Sequence, residues 1–252
     1  MQNWPYPKIF AHRGGGSLAP ENTLAAMKKG RELEYCAVEF DVKLTADRVA
    51  ILLHDATLDR TTTGKGEIKD RTWDDLAGLD AGSWFSPQFA GERIPRFSEI
   101  AHYLHSIGMM ANVEIKPVPG TDQETGTQVA SMADELWRDR IVKPLLSSFS
   151  FQALEAAHRE APQLPRGFLT GKPTPETLVQ LTALDCVSLH CNHENIDAAG
   201  VTFFHGHGYR VLTYTVNDPD RVAVLLGWGV DGIFTDNLPA MLNRFPHAVV
   251  QV

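Results

Sequence analysis

Cysteine is scarce in this 252-residue chain. Cys36, Cys186 and Cys191 are the only three, too few and too odd in number for a disulfide scaffold. Long apolar runs are missing as well. No stretch approaches the roughly 20 residues needed to span a bilayer, and the opening Met-Gln-Asn-Trp-Pro-Tyr-Pro-Lys lacks the apolar core of a secretory signal. Positive charge is the minority sign, with 23 Lys+Arg against 31 Asp+Glu, so the broad cationic field that nucleic-acid binding requires is lacking. A local cationic cleft is still compatible with that balance. Blocks of like charge, internal repeats and low-complexity tracts are absent, which excludes extended disorder. The expectation is a cytoplasmic protein with no stable membrane insertion and no nucleic acid among its partners. These features imply no particular oligomeric state.

Several familiar signatures are also missing. Without G-x-x-x-x-G-K-[ST] the chain is not a P-loop nucleotide enzyme, and without G-x-S-x-G or H-E-x-x-H it is neither a nucleophile-elbow hydrolase nor a zincin. What is present is a rhythm. Short apolar runs at Lys8–Ala11, Ala37–Val42, Met110–Ile115, Pro144–Ser148, Arg166–Leu169, Cys186–Leu189, Arg210–Thr215 and Gly232–Thr235 read as strands. Helical patterns at Thr23–Leu33, Glu124–Trp137, Phe151–Arg159, Pro175–Thr182, Ala198–His207, Pro219–Trp228 and Leu238–Phe245 follow most of them. Eight strand–helix alternations favour an α/β (βα)8 TIM-type barrel over an open sheet, which would carry a G-x-G-x-x-G turn that is not found here.

The second unit breaks the rhythm. Ala46-Asp47-Arg48 reads as a tight turn, so Val49–Leu53 is expected to return antiparallel to Ala37–Val42 as a hairpin. A stretch rich in Gly, Pro and aromatics (Trp73, Trp84, Phe85, Phe89) follows, before a helix starting near Phe97-Ser98-Glu99. Such a length suits a lid or a binding element, although each aromatic is better read as part of a small core of its own. The whole chain, 1–252, is read as one domain with an insertion at about 43–96.

Active sites of such barrels gather at the carboxyl ends of the strands, and here those ends are charged. The first closes with His12-Arg13-Gly14-Gly15-Gly16, the second carries Glu39-Phe40-Asp41 and the third Glu114-Ile115-Lys116. Alternation puts Glu39 with Asp41, and Glu114 with Lys116, on a common face. One such pair alone reads as a solvated strand face. Two pairs on adjacent strands beside histidines call for a cation, and oxygen donors favour Mg2+ or Ca2+ over Zn2+. His12 and His54 are the natural proton-transfer groups, with the hairpin returning His54 toward Glu39 and Asp41. Arg13 and Lys116 suit an anionic substrate, phosphate in particular. Cys186, His190, Cys191 and His193 match no zinc spacing, and His205 and His207 read as polar surface near a helix end.

At this point the chain resembles the glycerophosphodiester phosphodiesterase family, closest to its cytosolic bacterial members. The resemblance rests on Ala11-His12-Arg13-Gly14, Pro20-Glu21-Asn22-Thr23, Glu39-Phe40-Asp41-Val42 and His54-Asp55-Ala56-Thr57-Leu58-Asp59-Arg60-Thr61-Thr62. It continues through Glu114-Ile115-Lys116, Ser148-Phe149, Tyr214-Thr215-Val216-Asn217 and Gly229-Val230-Asp231-Gly232-Ile233-Phe234-Thr235-Asp236. It implies a barrel with an insertion after the second strand, and one divalent cation on Glu39, Asp41 and Glu114. By the same resemblance His12 and His54 are the acid–base pair, taken as base and acid in that order. Arg13 and Lys116 bind phosphate, and Tyr214 and Phe149 are candidate walls for the alcohol end. Tyr214 stands where the family often has Trp. The implied reaction is hydrolysis of a small-molecule glycerophosphodiester, such as glycerophosphocholine or glycerophosphoethanolamine, to sn-glycerol 3-phosphate and an alcohol. The alternatives are a related enzyme acting on lysophospholipids and a non-catalytic barrel that binds phosphodiesters.

Overall fold

Among residues 4–250, which the computed structural model describes, the apolar runs form nine strands. They are β1 (Ile9–Ala11), β2 (Ala37–Leu44), β3 (Ala50–Leu52), β4 (Met110–Ile115), β5 (Leu145–Ser148), β6 (Arg166–Thr170), β7 (Ser188–Asn192), β8 (Arg210–Tyr214) and β9 (Gly232–Thr235). All but β3 are parallel. β1 pairs with β2 through Ala11 and Val38, and with β9 through Ile9–Ala11 against Ile233–Thr235, which closes the ring. The helices are α1 (Leu24–Glu32), α2 (Trp73–Leu76), α3 (Phe97–Ile107), α4 (Asp122–Leu136), α5 (Phe151–Glu160), α6 (Pro175–Ala183), α7 (Ala198–Gly206), α8 (Pro219–Gly227), α9 (Leu238–Arg244) and α10 (Pro246–Val249). The result is the expected (βα)8 barrel.

Local chemistry explains the boundaries. Thr23, Ser150 and Asp197 cap α1, α5 and α7 by accepting a backbone N–H of the first turn, and proline opens α6 and α8. Gly108, in the left-handed region at φ 69°, ends α3. β2 shows why the sheet holds. Val38, Phe40 and Val42 pack outward with Phe97, Ile100 and Leu104 of α3, while Glu39, Asp41 and Lys43 occupy the other face. Both faces are buried, as a barrel strand demands.

β7 begins two residues later than its apolar run suggests. Cys186 donates its N–H to Leu181 O and so still belongs to the exit from α6, Val187 already bonds to Arg166 and Arg210 of the flanking strands, and the strand proper runs from Ser188 to Asn192. This carries His190 into the barrel. There its Nε2 lies 3.0 Å from Ser188 Oγ, and a Cβ on Gly167 would meet that nitrogen at 2.3 Å. Glycine at 167 is what makes room for a ring inside β6.

The hairpin forms as expected. Val42, Lys43 and Leu44 face Leu52, Ile51 and Ala50, with the turn closed by Val49 N–H on Thr45 Oγ1 at 2.9 Å. The insertion beyond it has its own core, and that core is mainly aliphatic. Ile51, Leu53, Leu58, Ile68, Leu76 and Ile94 form it, with Trp73 at its edge under the Arg96 guanidinium. Trp84, Phe85 and Phe89 instead make an edge-to-face trio of their own. Asp80 pins the same region by accepting the N–H groups of Gly82, Ser83 and Gly91.

Burial pushes the His190 imidazole down to about 3. Unfolded, it takes a proton near pH 6.5. Between those values the unfolded chain binds more protons, so this group makes stability rise with pH by up to about 1.4 kcal/mol per unit, a slope that halves near pH 6.5 and vanishes by about pH 7.5. Replacing His190 with Asn should flatten the acid limb of a urea-midpoint versus pH curve by that one-proton slope, leaving the curve above about pH 7.5 parallel to the wild type.

Candidate active site

The turn after β1 is shaped by backbone conformation. Arg13, Gly14 and Gly16 all have positive φ, and a Cβ at Gly16 would lie 2.3 Å from Asp236 O. The loop therefore lies directly on the end of β9, with Ser17 N–H donating to Asp236 O at 2.9 Å. His12 is brought beside Asp236 by this packing, Nδ1 to Oδ1 at 2.7 Å. Asn217, at the end of β8, braces Asp236 through its Oδ1, which accepts the Asp236 N–H at 2.8 Å. Burial opposes charge on His12, but the Asp236 hydrogen bond and the Glu39 carboxylate hold its pKa above the ordinary imidazole value.

Glu39 and Asp41 on β2 meet Glu114 on β4, with Asp41 and Glu114 directly opposite in the parallel register. A ligand oxygen from each lies within 4.8 Å of the others, and no other group of three or more His, Cys, Asp or Glu side chains among the described residues is so placed. Each carboxylate has its own brace. Arg13 N–H donates to Glu39 Oε2 at 3.0 Å, Asn22 Nδ2 donates to Asp41 Oδ2 at 2.8 Å, and Asp41 N–H donates to Asn22 Oδ1 at 3.1 Å. The Lys116 ammonium stands 3.1 Å from Asp41 and 3.0 Å from Glu114, and Arg13 Nε stands 3.6 Å from Asp41. These cations do not balance the cluster. Burial, reinforced by Asp41 and Glu39, pushes Glu114 up to about 8, and burial raises Glu39 as well. Only Asp41 is held below the carboxylate range, where Lys116, Arg13 and His54 overcome its burial. Three oxygen donors with an uncompensated charge fit a hard divalent cation.

His54 follows β3 and lines the same cavity as His12. Its Nδ1 lies 2.7 Å from Asp55 Oδ1. Burial, with help from nearby Arg13, leaves its pKa below the ordinary value despite Asp41 and Asp55. Lys43 holds this turn in place. Its buried ammonium donates to the carbonyls of His54 and Asp55 at 2.8 and 2.7 Å. Arg60 bridges Asp55 to Glu21, which also accepts Arg13 Nη1 at 2.8 Å.

The cavity has a volume of about 180 Å3, with Asn112, Ser147 and His190 toward its interior. Phe149 and Tyr214 form one wall, rings edge-to-face at 5.7 Å, and Phe149 is 49% exposed, so it is not a core residue. Tyr214 is fixed by its hydroxyl on Thr170 O at 2.9 Å. A wider hollow of about 480 Å3 lies at the opposite pole of the barrel, but its buried cation, Arg166, is spent on backbone carbonyls.

All nine residues singled out from the sequence line or adjoin one cavity. Asp236, Asn217, Asp55, Glu21, Asn22, Arg60 and Lys43 are the additions. Six of them lie inside the motif blocks quoted above; Asp55 directly follows its partner His54, but most of the other partnerships join residues remote in sequence, so adjacency could not assign them. Lys43 belongs to none, and only its place on the inward face of β2 could have drawn notice. The Cys186, His190, Cys191, His193 group does not converge. Cys191 packs in the outer core, and His193 meets Arg221. His205 is more than polar surface, since its Nε2 lies 2.7 Å from the buried Asp231 carboxylate.

A sequence model of the glycerophosphoryl diester phosphodiesterase family matches residues 12–240. A glycerophosphodiester phosphodiesterase of Caldanaerobacter subterraneus subsp. tengcongensis is 33% identical over 239 residues, covering 93% of this chain and 96% of that one. One from Bacillus subtilis is 30% identical over 255 residues, covering 93% and 84%. Among solved structures, an Oleispira antarctica phosphodiesterase in complex with the product sn-glycerol-3-phosphate superimposes with a TM-score of 0.90 at 32% identity, covering 96% of this chain and 97% of that one.

Asn22 touches Asp41 at two points without belonging to the carboxylate group. Asn22→Ala should therefore weaken binding of Mg2+ or Ca2+ by about 10–100-fold, read by calorimetric titration, while the melting temperature shows the barrel intact.

Proposed function

The chain belongs to the glycerophosphoryl diester phosphodiesterase family, and we propose that it hydrolyses glycerophosphodiesters such as glycerophosphocholine or glycerophosphoethanolamine to sn-glycerol 3-phosphate and the free alcohol. The observation that carries this reading is the matched pair of imidazoles. Each has its Nδ1 engaged by a carboxylate at 2.7 Å, Asp236 for His12 and Asp55 for His54, and each keeps Nε2 available to the cavity they share. Between them stand Arg13 and Lys116, two cations suited to a phosphodiester. The product bound by the Oleispira antarctica enzyme supports the same substrate class.

In this scheme Arg13 and Lys116 bind the phosphate, and Phe149 with Tyr214 walls the alcohol end. His12 Nε2 takes a proton from the nucleophile, water or a glycerol hydroxyl, as Asp236 fixes the tautomer and steadies the imidazolium, the logic of a carboxylate-backed base. His54 Nε2–H returns a proton to the departing alcohol oxygen. Asp236 and the Glu39 charge both raise the pKa of His12, and a cation held by Glu39 would offset the second contribution. One Mg2+ or Ca2+ held by Glu39, Asp41 and Glu114 would supply Lewis-acid stabilisation of charge developing on the phosphoryl group. A cytoplasmic setting fits three cysteines that form no disulfide among the described residues, and no helix among those residues is long and apolar enough to cross a membrane.

Three measurements test this. Chelation should abolish choline release from glycerophosphocholine, with Mg2+ or Ca2+ restoring it; release that persists through exhaustive chelation sinks the metal assignment. Comparison with lysophosphatidylcholine separates the lysophospholipid alternative. The order of the histidines is read with a 4-nitrophenyl ester, whose leaving group needs no proton. His54→Ala should lose about 10²–10⁴-fold on the choline ester but much less on the nitrophenyl ester. His12→Ala should lose equally on both, and the reverse pattern exchanges their roles.

A further inference from the structure

Arg60 stands at the rim of the cavity and touches neither the carboxylate cluster nor a histidine. Its guanidinium makes two forks. Nε and Nη2 donate to Asp55 at 2.7 and 3.0 Å, and Nη1 and Nη2 donate to Glu21 at 2.7 and 2.8 Å. The two carboxylates lead in different directions. Asp55 Oδ1 is the partner of His54 Nδ1, and Glu21 Oε1 is the partner of Arg13 Nη1. The string His54–Asp55–Arg60–Glu21–Arg13 thus crosses the mouth from the insertion to the loop after β1.

An exposed ion pair ordinarily contributes little, and a plain staple between insertion and barrel is the simplest account of this one. Three observations tell against it. Both ends are bidentate, the geometry that fixes orientation as well as distance. Glu21 is only 14% exposed, so its charge is poorly screened by water. Tethering of the same turn is already provided by Lys43, whose ammonium holds the carbonyls of His54 and Asp55. What Lys43 cannot do is orient side chains.

We propose that Arg60 is a positioning residue that sets the His54 imidazole through Asp55 and the Arg13 guanidinium through Glu21, so that one side chain governs proton transfer and phosphate binding together. The proposal rests on the hydrolase reading above. Lysine at 60 keeps the charge but cannot make two forks.

Arg60→Lys, Asp55→Asn, Glu21→Gln and the doubles with Arg60→Lys are compared with the wild type, all with Mg2+ present. The readouts are kcat and KM on glycerophosphocholine, the affinity for inorganic phosphate by calorimetry, and the melting temperature. Arg60→Lys should stay folded, lose about 10–100-fold in kcat and bind phosphate about tenfold more weakly. Asp55→Asn should reproduce the kcat loss alone, and Glu21→Gln the phosphate loss alone. Adding Arg60→Lys to Asp55→Asn should then lower kcat by no more than about twofold. A staple would lower only the melting temperature, and unchanged kcat and phosphate affinity in folded Arg60→Lys overturns the proposal, as do losses that multiply in the doubles. If Arg60→Lys does not fold, the single variants decide, and wild-type values in both overturn it. If the wild type cleaves no glycerophosphodiester, the hydrolase reading fails. Phosphate affinity, read without turnover, then decides whether Arg60 and Glu21 set Arg13.

Discussion

Three carboxylates buried within reach of one another at the open end of a barrel are the constraint from which the rest of this site follows. Like charges in a poorly solvated pocket cannot all be ionised unless something positive stands among them. The protein answers with single well-aimed donors: a backbone N–H on Glu39, an amide on Asp41, an ammonium between Asp41 and Glu114. Burial and the neighbouring carboxylates nevertheless push Glu114 up to about 8. That residual imbalance is the physical content of a cation site. It also accounts for each histidine being backed by a carboxylate from outside the cluster, since a partner inside it would be tied to any cation held there.

The labour is divided by rigidity. Groups that must keep fixed spacing, Glu39, Asp41, Glu114 and Lys116, come from or directly follow adjacent strands, where parallel register sets their separation. The groups proposed to handle protons and phosphate, His12, Arg13 and His54, come from loops, the first two from the turn after β1 and the third from the insertion. Loops need help to hold a side chain steady. Here it comes from glycine packing at Gly16, from Lys43 beneath the His54 turn, and from the arginine forks across the mouth.

Much of this was legible in the residue order. Strand ends bearing Glu39, Asp41 and Glu114 announce themselves because alternation is a local rule, and the return of His54 follows from a turn only three residues long. The missing parts share one cause. Asp236 matters because of His12, Glu21 because of Arg60, and Asn22 because of Asp41, and each partnership depends on how separate elements meet in space. Local periodicity carries no information about such meetings. β7 illustrates the same limit on a smaller scale, since its apolar run starts inside the exit from α6. The aromatics of the insertion misled in another way, because aliphatic residues with no special pattern built its core.

The bond between His12 and Asp236 joins residues 224 positions apart, across the seam where β1 meets β9. During synthesis the first histidine leaves the ribosome early and waits for its carboxylate until nearly the whole chain has emerged. A nascent or incompletely folded molecule therefore holds most of the reactive groups without the means to use them. Catalytic competence arrives last, as a by-product of topological completion.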